Sequence, residues 1–250
     1  MHASPRSRRR TALVAVLGAA LALGTTACGP FSDDAKPTGP FGELSGSQIV
    51  DKAFAATKGA KSLTVDIDER KAAEPFKAYL SLDTRGQCTG TLTTGTTSTV
   101  ELIKPDRRNV YLRFDEASLR EQVKDESAEV QEATLKELRG RWMKGSVSDP
   151  DNKDMVALCD PKQLLGGFEQ GASGIVKGAE TTVGGQKALA LTEPDGKGES
   201  STVYVATQGT PYVLKIVTKG GEEPGTITFS HYGKPVEAKA PAAKDVVKTD

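Results

Sequence analysis

Histidine is nearly absent from this chain: two occur in 250 residues, His2 and His231. That scarcity argues against most hydrolase and zinc chemistry, which needs partnered imidazoles. Neither a Gly-x-Ser-x-Gly elbow nor a His-Glu-x-x-His helix is present. An excess of charge of one sign is lacking as well. There are 33 basic and 33 acidic residues, and four of the basic ones are arginines in the first 27 positions, so the remainder is acidic by four. Without a basic stripe the chain has no electrostatic footprint for nucleic acid, which is not expected as a partner. Long apolar runs are missing too. Residues 12–24 form an uncharged apolar run of 13, short of the ~20 that cross a bilayer as a helix, and no later stretch approaches membrane length.

What is present begins at the N-terminus. Arg6, Arg8, Arg9 and Arg10 precede that run, and Thr25, Thr26 and Ala27 follow it, directly before Cys28. A positive start, a short apolar core and a small residue before the cut describe a secretory signal, predicted over residues 1–27. The cysteine after the small residue resembles the bacterial lipobox, in which the thiol is acylated and becomes the new N-terminus. Thr25 stands where leucine is commonest in that motif. An ordinary signal with an incidental cysteine is the alternative. The lipobox reading anchors the mature protein by a lipid on Cys28 to the extracytoplasmic face of the cell membrane. Residues 28–44, rich in Gly, Pro and Asp and without a period, read as a flexible tether with an r.m.s. reach of about 20 Å.

Two cysteines remain, Cys88 and Cys159. In an exported chain the even count favours a disulfide. It would close a loop of about 70 residues, worth on the order of 4 kcal/mol by chain entropy. A metal pair is the alternative, with two distant thiols and only His231 to assist, a poor zinc set. No metal or other cofactor is expected.

The folded part is predicted over residues 45–247. Ser45 or Ser47 can cap a helix whose Ile49, Val50, Ala53, Phe54 and Thr57 fall at three- and four-residue steps, ended by Gly59. Strands are predicted over residues 63–67, 76–82, 88–94, 99–103 and 109–114. A helix follows over 118–138, then a short strand opened by Trp142 and a short helix after Asp160-Pro161. The last third reads as a meander over 179–183, 187–191, 202–206, 212–218 and 226–232, with a frayed tail over 245–250. A sheet of eight to ten strands tends to curl. A curled sheet buries its concave face by wrapping around helices, so the expected class is α+β: a strongly curved, mainly antiparallel half-barrel over a few helices.

Several of these residues carry a family likeness. The lipobox, the Gly-x-Cys-x-Gly strand at 86–90, Val110-Tyr111-Leu112, the lone Trp142 and the ending resemble the LolA-like lipoproteins of actinobacteria, the LppX/LprG type. In the ending the matching stretches are Val203-Tyr204-Val205, Pro211-Tyr212-Val213-Leu214-Lys215 and residues 226–236, with Ala240-Pro241 beyond. The likeness covers most of residues 45–247. It implies a half-barrel enclosing an apolar cavity that in characterised relatives holds acyl chains of lipids or glycolipids. It also implies an interior helix between the fifth and sixth strands, which in this chain is heavily charged.

The chemistry of such a carrier is simple: an apolar cavity takes acyl methylenes out of water at about 0.8 kcal/mol each. The expected lining is Phe76, Leu80, Leu92, Leu102, Tyr111, Trp142, Val203, Leu214 and Ile216. Periodicity does not separate lining a cavity from filling a core. His231 is expected at the surface, at the end of an edge strand. Asp66 and Asp68 share a face opposite Leu63, Val65 and Ile67, hence solvent. Residues 149–154 lack the central Gly and closing Glu of a calcium loop and read as a plain loop. The expected function is therefore non-enzymatic: an anchored envelope lipoprotein that binds or carries a lipid, glycolipid or other apolar ligand. The competing expectation is a filled half-barrel acting through a protein partner in the envelope.

Overall fold

The computed structural model describes residues 39–71, 74–166, 174–194 and 198–248. The predicted signal and Cys28 lie outside the described residues. The helix α1 (Gly46–Lys58) begins where the sequence places a cap. Ser45 Oγ accepts from Gln48 N–H and the Gln48 side chain accepts from Ser45 N–H, a reciprocal capping box. Its buried residues are Gly46, Ile49, Val50, Ala53, Phe54 and Thr57, one stripe of the helix.

Eleven strands follow: β1 (Ser62–Glu69), β2 (Phe76–Asp83), β3 (Cys88–Thr94), β4 (Ser98–Lys104), β5 (Asn109–Phe114), β6 (Met143–Ser146), β7 (Val176–Val183), β8 (Gln186–Pro194), β9 (Ser200–Ala206), β10 (Val213–Lys219) and β11 (Gly225–Ser230). They form one sheet in the order β6-β5-β4-β3-β2-β1-β11-β10-β9-β8-β7. Every pairing is antiparallel, and β1 with β11 joins the two runs of neighbours. The sheet curves without closing, a half-barrel whose concave face holds the core.

Register and burial define that face. Val65, Leu80, Gly90, Leu102 and Leu112 stand opposite one another along one row, and Ile67, Ala78, Leu92 and Val100 along the next. Across the β1–β11 seam the second row continues through Ile227, Ile216, Val203 and Leu191. These side chains pack with Ile49, Val50, Ala53 and Phe54 of α1 and with Leu165 in one core. Fully burying each large aliphatic residue contributes about 1.5–3 kcal/mol.

The predicted helix over 118–138 is two helices, α2 (Glu116–Gln122) and α3 (Ala128–Leu138). Ser127 caps the second, and the Gln131 side chain donates to the carbonyls of Lys124 and Glu126 in the break. Only Leu135 of α3 is buried, and neither Leu119 nor Leu135 joins the main core. The charged helix is therefore not interior, since a helix polar nearly all round has no face to bury. The concave face is filled instead by α1 and by the bridge between β6 and β7. That bridge holds a 3₁₀ turn at Pro150–Asn152, α4 (Lys153–Ala157) and α5 (Pro161–Gly166), so residues 149–154 are coiled rather than an open loop.

Two other expectations change. The β11 strand is central, so His231 follows an interior strand, not an edge; its side chain is exposed and its backbone sits at φ 52°. The tail is tied as far as residue 247: Trp142 N–H donates to Asp245 O, and Val247 N–H to Trp142 O.

Candidate functional site: clefts at one end of the half-barrel

The row Val176, Thr192, Thr202, Val217, Thr226, Asp68, Lys77, Thr93 and Thr99 crosses nine strands in register and marks one end of the sheet. Two clefts open there. One, of about 590 Å³, is floored by Ile67, Phe76, Leu158, Leu164 and Ile227 and rimmed by Glu69, Lys71 and Glu74. The other, of about 510 Å³, has Ile216 and Ile227 below and Glu69, Glu199, Glu222 and Glu223 around it. They share Glu69 and Ile227. Lys71 stands between them, with its ammonium 2.5 Å from Glu223 and 3.7 Å from Glu69. The hydrogen bond that Lys71 donates to Glu223 raises its pKa. The pair is exposed, where such bridges add little stability.

Apolar floors under a polar rim suit a ligand with an apolar body and a hydrated head, and the volumes lie in the range of small-molecule sites. The helical bridge supplies Leu158 and Leu164, so the first cleft exists only because α4 and α5 lie across the concave face. Among the described residues no group of three or more His, Cys, Asp or Glu is placed to hold a metal ion. Nor is any of their helices long and apolar enough to cross a membrane.

The nine expected lining residues divide. Phe76 and Ile216 line the clefts. Leu80, Leu92, Leu102 and Val203 are concave but deeper, packed in the core, with Leu80 and Leu102 at 0% exposure. Tyr111, Trp142 and Leu214 belong to the convex side. Tyr111 alternates against the buried Val110 and Leu112 and stands opposite Ile103. Trp142 lies two residues before Lys144, the partner of Tyr111, with the Arg113 guanidinium 4.7 Å over its ring. Leu214 is the extra residue of a bulge: Val213 pairs with Val205 and Lys215 with Tyr204, so Leu214 turns out to Ala188 and Ala206.

Cys88 and Cys159 are joined, with Cα atoms 5.7 Å apart. The bond fastens β3 to the turn between α4 and α5. The glycines around Cys88 have physical reasons. A Cβ on Gly90 would fall 1.9 Å from Tyr79 O, and one on Gly86, at φ +90°, would meet Arg107 Cγ at 2.6 Å. Near the bond, at the far end of the sheet, lies Lys104, which the sequence reading passed over. Alternation from Leu102 turns it inward opposite Cys88. It is only 6% exposed, its Nζ donates to Gly86 O at 2.7 Å, and burial pushes its pKa down. A third cleft, of about 430 Å³, opens beside it between Lys58, Arg107 and Lys162 with Asp83 and Asp160. Counting Lys104, its lining carries four cations against two carboxylates.

No protein-family model matches the chain, and no curated protein does. Solved structures do. The crystal structure of LprF from Mycobacterium bovis superposes with a TM-score of 0.55 at 15% identity, covering 79% of this chain and 97% of that one. The lipoprotein LppX from Mycobacterium tuberculosis gives a TM-score of 0.50 at 14% identity, over 78% of this chain and 98% of that one. At such identities the likeness is one of fold. The chain has the LolA-like half-barrel fold of these mycobacterial proteins, the type that its ending and its residues 86–90 resemble.

Proposed function

We propose that this chain is a non-enzymatic envelope lipoprotein, anchored through Cys28, that binds or carries a lipid or another apolar molecule in the clefts at the end of its half-barrel. One observation carries the reading: the cleft of about 590 Å³ floored by Ile67, Phe76, Leu158, Leu164 and Ile227. An acyl chain laid on that floor gains about 0.8 kcal/mol for each methylene removed from water, without any polar recognition motif. The lipobox resemblance supplies the compartment, and the shared fold with LppX supports it.

A second reading has its own observation. Leu80, Leu92 and Leu102 fill the concave face against helices rather than line a void, as expected of a closed scaffold that acts through a protein partner. Native mass spectrometry of the protein purified from its own host, followed by organic extraction, separates the two. A reproducible extra mass that extracts as lipid establishes the carrier. A clean apo mass, unchanged after incubation with envelope lipids, replaces the carrier with the scaffold.

A further inference from the structure

The chain enters the folded domain at the same end as the clefts. Phe41 and Leu44 already pack against the core. Lys177 Nζ donates to Gly42 O, and Gly46 sits so close to Ile175 that an added Cβ would meet its carbonyl at 2.6 Å. Ile175 and Lys177 flank Val176, the first member of the register row that marks the cleft end. The helix α1 then runs the height of the sheet and delivers the chain to Ser62, at the opposite end. Glu199, on the rim of the second cleft, leads into strand β9 (Ser200–Ala206), which lies two strands from β7, about 10 Å at the usual strand spacing.

We infer that the cleft end is the surface that faces the bilayer holding the protein's own anchor, so that an apolar ligand passes between cleft and membrane in cis. The inference rests on the proposed anchor at Cys28 and gives the proposed carrier a partner, the membrane surface itself. From Cys28 to Phe41 the chain spans about 45 Å at most, however it is arranged. The eight residues of β1 set the ends of the sheet about 26 Å apart. With the cleft end down, the connection has slack. With the far end down, it must run back along the whole domain, which uses more than half of its length and restricts its conformations. Rim charge does not hold the contact: Glu69, Glu74, Glu199, Glu222 and Glu223 outnumber Lys71, so the covalent link sets the orientation, and on a zwitterionic bilayer salt leaves it unchanged.

The test uses the full lipidated protein in zwitterionic phosphatidylcholine vesicles containing a headgroup-labelled quencher lipid. A fluorophore is placed on Thr96→Cys, in the exposed β3–β4 turn at the cleft end, or on Gln208→Cys, in the exposed β9–β10 turn at the far end. Quenching at position 96 several-fold above that at 208, in low and high salt, supports the orientation. Equal quenching, or stronger quenching at 208, in protein that floats with the vesicles overturns it and leaves the anchor standing. Protein that fails to float overturns the anchor and the orientation together. None of these outcomes depends on whether bound lipid is found by mass spectrometry, so the carrier reading fails or stands separately.

Discussion

Cys88 and Cys159 are bonded across 71 positions, tying the third strand of the half-barrel to the helical bridge that lies over its concave face. Besides that bond, side-chain packing and the hydrogen bond from Asn152 Nδ2 to Ser146 O hold the bridge to the sheet. A Cys88→Ala/Cys159→Ala chain should lose about 4 kcal/mol of unfolding free energy, the chain-entropy value for a loop of this length. Urea unfolding with and without reductant checks it. Unchanged stability on reduction would show that the bridge does not depend on the bond.

Faces of the sheet separate binding from scaffold. Phe76→Glu places a charge on the floor of the larger cleft and should weaken binding of a fluorescent acyl probe about tenfold, equivalent to losing roughly two methylene contacts. Tyr111→Glu, on the convex face, should leave probe affinity unchanged. Matching far-ultraviolet circular dichroism for both variants is the control. Equal effects at the two positions would mean that the probe does not enter the cleft.

Gly90 is the tightest backbone contact of the third strand, with an added Cβ 1.9 Å from Tyr79 O. Gly90→Ala should cost about 2 kcal/mol or more, because the backbone of Tyr79 and Leu80 must move. Gly95→Ala has open space around it, and only its φ of +65° resists a side chain, for about 1 kcal/mol. Thermal unfolding of the two variants should therefore place Gly90→Ala lower. The reverse order would refute the close approach.

Asp115 couples α2 to the sheet: its carboxylate accepts from Ser118 N–H at 2.7 Å and from Thr99 N–H at 2.9 Å. Burial pushes its pKa up, but the hydrogen bonds from Ser118 and Thr99 outweigh burial, and the net shift is downward. A carboxylate with a depressed folded pKa contributes stability above its unfolded value, near 3.9, and loses it as pH falls through the lower folded value. Asp115→Ala should cost about 1 kcal/mol at pH 7. The gap between variant and parent should narrow below pH 4. A gap that stays constant down to pH 2 would show that the carboxylate charge is not involved.

Local signals were legible in the sequence because their causes are local. Ser45 with Gln48 makes a cap whatever surrounds it, and the alternation of Leu63, Val65 and Ile67 marks one buried face. Compartment and residue supply pointed to the pairing of Cys88 with Cys159. The curved antiparallel sheet over helices followed from the number of strands and the scarcity of helices. The lining of the site was legible only in part. Phe76 and Ile216 could be read from alternation, since β2 keeps register throughout and β10 does so from Lys215 to the cleft. Leu214 could not, because one extra residue between Val213 and Lys215 reverses which side chain faces in, and a bulge leaves no mark on composition or period. Tyr111 and Trp142 were aromatic residues on strands, and which face they occupy depends on the strands beside them.

By itself the sequence determined most of the elements with their caps and turns, the paired cysteines and the apolar face of the strands that alternate without a bulge, because propensity and period act over a few residues. Only the tertiary structure decided that β1 meets β11, that α3 lies outside the core, and that α4 and α5 roof one end into a cleft. Those outcomes are set by contacts between residues far apart in the chain, where burying one face of each element admits several arrangements and the packing of side chains selects among them.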